Sequence, residues 1–191
     1  MQTGLIRQGG ILFLALIFFS RPGFSEEKKL PADLKDLPKE IEEFEMIEPH
    51  LYRGGQPTER GLEMLKKLGV RTLINFRHEK DAIEWERKKA EELGLRYVSL
   101  PWRIQWQPDS KVMKDFLASI KEKEKGPFFF HCRRGLERSG VAEAVYQHYY
   151  RKLSFEEAYE KATDNHPPRF YWKPFVRSRY REFVEDLGPT E

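Results

Sequence analysis

The apolar and polar positions of this chain follow different periods in different places, and the changes of period mark its elements. The first apolar stretch has no polar face at all: Ile11-Leu12-Phe13-Leu14-Ala15-Leu16-Ile17-Phe18-Phe19 is uninterrupted. It follows Arg7 in a short polar start and is too short to span a bilayer comfortably. Gly23 and Ser25 then put small residues where a signal peptidase reads. Residues 1–25 are therefore expected to be a signal peptide cut before Glu26, or an uncleaved N-terminal anchor. Either would place the rest of the chain outside the cytoplasm, in the periplasm or tethered to a membrane. Residues 26–45 are charged and carry Pro31 and Pro38, a pattern that predicts a tether. The compact domain is then expected over residues 46–191.

Within that domain, residues 50–53 predict a strand entering the turn Gly54-Gly55-Gln56-Pro57. Thr58 is a good N-cap for a helix to Leu68, with Gly69 as its stop. Residues 70–76 are rich in β-formers, 81–93 form a charged amphipathic helix closed by Gly94, and 96–100 predict another strand. A loop over 101–108 holds Trp102 and Trp106, after which Asp109 or Ser110 opens a helix to about Lys123. Residues 126–130 read as a short buried strand and 141–150 as a helix. Ser154 caps a helix through Thr163, and a final helix covers roughly 173–187. Strands alternating with helices predict an α/β fold: one domain with a central, mostly parallel sheet of four to five strands, flanked by helices on both faces.

Composition narrows the chemistry. Charged residues make up 34% of the 191 positions and aromatics 14%, which suits a globular domain with a normal core. The formal charge of +3 falls to +1 without the leader, which carries Arg7 and Arg21 and no acid. That balance argues against a general nucleic-acid binder, so any affinity for anions must be local. The single cysteine, Cys132, excludes an internal disulfide and leaves no second thiol to protect it from over-oxidation. The histidines form no metal-ligand spacing with cysteine or carboxylates, so neither a metal nor a cofactor is expected.

Local anion affinity is concentrated in His131-Cys132-Arg133-Arg134-Gly135-Leu136-Glu137-Arg138-Ser139-Gly140. A strand, a tight loop and a helix N-terminus in succession point backbone N–H groups inward, with the positive end of the helix dipole behind them. A cysteine at the mouth of such a cradle would have a depressed pKa and act as a thiolate nucleophile. Arg138 can grip two oxygens of a phosphoryl group and stays charged at any working pH.

The pattern His-Cys-x-x-Gly-x-x-Arg-Ser-Gly resembles the signature of the cysteine-dependent protein tyrosine and dual-specificity phosphatases. A rhodanese-type loop would be one residue shorter between Cys and Arg. The resemblance extends through Leu51-Tyr52-Arg53-Gly54-Gly55-Gln56-Pro57 and Thr72-Leu73-Ile74-Asn75-Phe76-Arg77. These stretches are similar to the opening of compact atypical dual-specificity phosphatases, the plant and fungal group and bacterial relatives. It implies Cys132 as nucleophile, Arg138 as phosphoryl clamp, and Arg133, Arg134, Gly135, Leu136, Glu137 and Ser139 as the phosphate-binding loop. His131 would fix the loop and tune the thiolate, and Ser139 would donate to the cysteine when it leaves. Arg53 and Arg77, at strand ends, either face the substrate or form structural ion pairs.

The resemblance also implies a general acid on a loop beside the cradle. Asp109, in Trp106-Gln107-Pro108-Asp109, is the candidate, although Pro-Asp is equally ordinary helix-start chemistry; Asp164 is a substitute. The activity implied is hydrolysis of a phosphorylated protein or small phosphomonoester through a cysteinyl-phosphate. The alternatives are an inositol phosphate or phosphoinositide phosphatase, and a phosphate-binding module without turnover. Relatives that prefer highly anionic inositol substrates often carry Lys in this part of the loop. Leu136 and Glu137 lower the positive potential there, Arg133 and Arg134 partly restore it, and the balance leans towards a protein or simple ester.

Overall fold

The structure is a computed structural model, which describes residues 30–105 and 110–188. The leader 1–25 and the Trp106–Asp109 stretch lie outside the described residues. Five strands form one sheet in the order β1-β2-β5-β3-β4: β1 Glu45–Glu48, β2 Leu51–Gly54, β3 Thr72–Asn75, β4 Arg96–Ser99 and β5 Phe128–His131. β1 runs antiparallel to β2, and the other pairings are parallel. The helices are α1 Leu37–Glu40, α2 Glu59–Lys67, α3 Lys80–Glu92, α4 Ser110–Lys121, α5 Glu137–Arg151, α6 Phe155–Thr163 and α7 Lys173–Leu187.

β5 takes the centre because it can be covered on both faces. Phe128, Phe129 and Phe130 are all 0% exposed, the continuous apolar run expected of a buried parallel strand. Side chains alternate across the sheet. Phe128 and Phe130 join a core under α4, α5, α6 and α7, while Phe129 joins a second core with residues of α1, α2 and α3. The same parity puts His131 on the α3 side, its ring stacked 5.5 Å from that of Phe129.

Register sets the location of the site. His131 pairs with Gly54 on one side and Asn75 on the other, so β2, β5 and β3 end flush at their carboxyl ends. The loop after β5 therefore emerges between the turn after β2 and the loop after β3, the edge at which open α/β sheets bind ligands.

Local signals are realised where they are strongest. Thr58 Oγ1 accepts from Gly61 N at 3.0 Å, and Gly69 takes φ +94° past the end of α2. Ser154 and Glu157 form a capping box on α6. The N-terminal boundary needs correction: most of the stretch read as a tether is part of the domain. A 3-10 turn over Ala32–Leu34 and α1 precede β1, and Leu34, Leu37 and Ile41 are at most 2% exposed, within the second core. These three residues have helical spacing, but the charges between them and the prolines conceal it. Pro38 sits in the first turn of α1, where its missing N–H costs no helical bond.

Candidate active site

The loop between β5 and α5 is shaped by contacts with the end of β2. Gly135 has φ +79°, and a Cβ there would lie 2.7 Å from both Gly54 C and Gly55 N. Only glycine permits that backbone and that approach. Gln56 N donates to Arg133 O at 3.2 Å, and Gly55 bridges Arg134, so the Gly54–Gly55 turn serves as the loop's outer wall. Arg53 braces it from beneath. Its guanidinium, 0% exposed, donates to Gly135 O at 2.5 Å and Ala162 O at 2.9 Å and forms an ion pair with Glu143 of α5. Arg53 is thus a buried structural ion-pair residue, turned away from any substrate.

Cys132 is buried at the foot of the loop, 1% exposed. Burial by itself would raise its pKa, but the Arg138 charge, the Ser139 hydroxyl and the amides of Ser139 and Arg134 outweigh it and hold the thiol below its ordinary value. Arg138 is aimed by carbonyls: Nη1 donates to Phe76 O at 2.8 Å and Trp102 O at 3.1 Å. Ser139 Oγ, buried, also lies 3.3 Å from Gly54 O, which places its hydroxyl between strand end and sulfur.

Behind the loop lies a carboxylate that the pattern of α3 did not reveal. Glu86 is 0% exposed. It accepts from Gln56 Nε2 at 2.8 Å and Asn75 Nδ2 at 2.6 Å, and His131 Nε2 lies 3.0 Å away. His131 Nδ1 lies 3.1 Å from Cys132 O, so both ring nitrogens face acceptors. The available signal was Ala90, one helical turn on, which is buried on the same face.

A pocket of about 250 Å³ opens over the sulfur. Cys132, Arg133, Arg134, Glu137 and Arg138 line it from the loop and the start of α5, His78 and Glu79 from the loop between β3 and α3, Ile104 and Gln105 from the loop after β4, and Arg169 and Trp172 from the α6–α7 connection. Gly135 shapes the loop without lining the pocket, and Leu136 is half-buried at the N-terminus of α5. Arg77 is paired with Glu79 at 3.2 Å and lies 3.3 Å from Gln56 Oε1. Burial would raise the Glu79 carboxyl, but Arg77 and backbone amides bring it down to about 2. Glu137 is pushed up by burial. Asp164 lines a separate depression with Lys173 and Arg177, away from the sulfur. Asp109 lies outside the described residues. Among the described residues, no group of three or more His, Cys, Asp or Glu could hold a metal ion.

Residues 35–173 match the family model described as a DSP-PTPase phosphatase fused to NAD+ kinase. The chain belongs to this phosphatase family. Among curated relatives, the dual-specificity protein phosphatase TpbA of Pseudomonas aeruginosa is 28% identical over 101 residues, covering 53% of this chain and 44% of TpbA. A probable chloroplastic NAD kinase 2 of Oryza sativa is 29% identical over 107 residues, 54% of this chain and 11% of the relative. The chain thus spans less than half the length of these two curated relatives. The crystal structure of P. aeruginosa TpbA superposes with a TM-score of 0.64 at 22% identity, over 75% of this chain and 86% of TpbA. The catalytic core of the PP-IP phosphatase SIW14 of S. cerevisiae gives 0.66 at 14% identity, over 77% and 88%. At these identities the likeness is one of fold.

Proposed function

We propose that this phosphatase-family domain hydrolyses phosphomonoesters through a cysteinyl-phosphate on Cys132. One observation carries the reading: a buried thiol, lowered in pKa by Arg138, Ser139 and loop amides, lies at the floor of an arginine-lined pocket. The thiolate attacks phosphorus in line. The P–O bond to the leaving group breaks, and Arg138 and the loop amides hold the equatorial oxygens. Asp109 protonates the departing oxygen. Water, deprotonated by the same carboxylate, then attacks phosphorus and releases the Cys132 thiolate, with Ser139 donating to the sulfur. Positioning and charge stabilisation supply most of the rate, because the transition state is loose.

Hydrolysis of p-nitrophenyl phosphate by the wild type and its loss in Cys132→Ser is the decisive test. A phosphate-binding module without turnover would show neither. Asp109→Asn is expected to lower kcat by about 10²–10⁴-fold on poor leaving groups and much less on good ones. Equal small losses would return Asp109 to a helix-start role.

Two substrate classes compete. TpbA has been solved with phosphotyrosine bound in a cysteine-to-serine form, and SIW14 is a PP-IP phosphatase. We favour a phosphorylated protein or simple ester. Glu137 in the pocket wall supports this reading, because the carboxylate occupies Arg169 and so lowers the positive potential offered to dense negative charge. The apolar run at 11–19 further supports export, with the substrate outside the cytoplasm. Mature protein from an envelope fraction should begin at or near Glu26, or remain full-length in the membrane if the segment is an anchor. Full-length chain in the cytosol would end the export reading.

A further inference from the structure

Among the charged side chains that line the pocket without a part in the reaction just described, Glu137 and Arg169 touch one another. Glu137 precedes Arg138 in the first turn of α5 and is 8% exposed. Arg169 reaches it from the α6–α7 connection, its Nε donating to Glu137 Oε1 at 3.0 Å. Arg169 is held for this contact. Pro167 and Pro168 stiffen the backbone before it, and His166 is tied to Glu43 at 2.6 Å and Glu45 at 3.1 Å. The Tyr171 ring lies 5.0 Å from the guanidinium carbon.

A bare carboxylate in the wall of an anion pocket opposes its ligand. With Arg169 on it the charge is largely offset on this wall, where Arg138 with the loop amides holds one phosphoryl group, while Arg133 and Arg134 line the pocket from its exposed side. Arg169, being engaged, is then not offered to a second phosphate. Such a phosphate, brought to this wall, would meet the carboxylate or have to break the ion pair. Ile104 and Trp172 line the same pocket with apolar surface suited to an aromatic stem.

We propose that the Glu137–Arg169 pair is the specificity-determining element of the pocket, admitting a single phosphoryl group on an apolar or aromatic stem and rejecting densely phosphorylated small molecules. The inference rests on the phosphatase reading and narrows its substrate class. It makes opposite demands on the two residues. Removing the carboxylate frees Arg169 for a second phosphate, and removing the guanidinium exposes the carboxylate to every anion.

The test measures phosphotyrosine and inositol hexakisphosphate as competitive inhibitors of p-nitrophenyl phosphate hydrolysis. It compares wild type, Glu137→Gln, Arg169→Ala and the double variant. Glu137→Gln should shift the ratio of the two inhibition constants towards inositol hexakisphosphate by at least about tenfold. The double variant should lose that shift. Arg169→Ala should weaken both inhibitors, the hexakisphosphate more, and this selective loss carries the test alone if Glu137→Gln does not fold. A ratio that stays constant in the variants, with both inhibitors weakened in parallel, would mean a merely structural pair and would overturn the filter. A shift that persists in the double variant would overturn the role of Arg169. Wild type that fails to hydrolyse p-nitrophenyl phosphate would sink the phosphatase reading and the filter with it, whereas hydrolysis with an unchanged ratio sinks the filter alone.

Discussion

Arg53, at the end of β2, donates a 2.5 Å hydrogen bond to the carbonyl of Gly135, 82 residues further along the chain. The same guanidinium forms a buried ion pair with Glu143, the two side chains being 0% and 2% exposed. One side chain thereby joins the strand, the β5–α5 loop and the helix behind it. Arg53→Met should leave Glu143 buried without its partner and cost about 3–5 kcal/mol, read as a lower urea midpoint. Arg53→Met with Glu143→Met should recover part of the loss. A single variant as stable as wild type would show that the pair does not support the loop.

The thiol of Cys132 is held below its ordinary value because Arg138, Ser139 and loop amides outweigh burial. Alkylation by iodoacetamide should therefore stay fast to pH values below the ordinary thiol pKa of about 8.5. Ser139→Ala removes one lowering contribution, so the midpoint should move up. An unmoved midpoint would leave the hydroxyl without a role in the resting thiolate.

Glu86 gathers Gln56, Asn75 and His131 on one buried carboxylate. It touches no reacting atom, so it acts as a positioning residue. Glu86→Gln places an amide where donors converge, and kcat/KM should fall about 10- to 100-fold through loss of alignment. The midpoint of Cys132 alkylation should shift too, since His131 reaches the Cys132 carbonyl. A variant that only melts earlier, with wild-type kinetics when folded, would reduce Glu86 to a stability element.

The His166 pKa is raised, first by its bond to Glu45 and also by that to Glu43, against burial. Burial alone would raise Glu45, but the bond from His166 and the Arg53 charge bring it below its ordinary value. The histidine's contribution is fully present below its unfolded value of about 6.5 and is lost as pH rises through the raised folded value. The Glu45 contribution is present above the ordinary carboxylate range and is lost as pH falls through its lowered value. The stability gap between wild type and His166→Asn, from urea midpoints, should be widest between these limits and close towards alkaline pH. A gap independent of pH would show that the pair is not ionic.

Sequence alone determined what depends on neighbours along the chain. Cys132, Gly135, Arg138 and Ser139 belong to one contiguous strand–loop–helix unit, so their succession was legible from their spacing. The caps Thr58 and Ser154 and the stop at Gly69 act within a turn or two and were equally legible. The tertiary structure decided what depends on which surfaces meet. Leu34, Leu37 and Ile41 look like scattered apolar residues among charges until α2 and the sheet cover them. Glu86 and Glu143 read as ordinary surface acids on their helices, and Glu137 as a member of the phosphate-binding loop with no partner in sight. Their burial follows from partners at positions 131, 53 and 169, supplied by other elements. A helical period reports which residues share a face. It does not report which face is covered, and a charge can lie under a face only when the opposing element brings the counter-charge or donors that offset its desolvation.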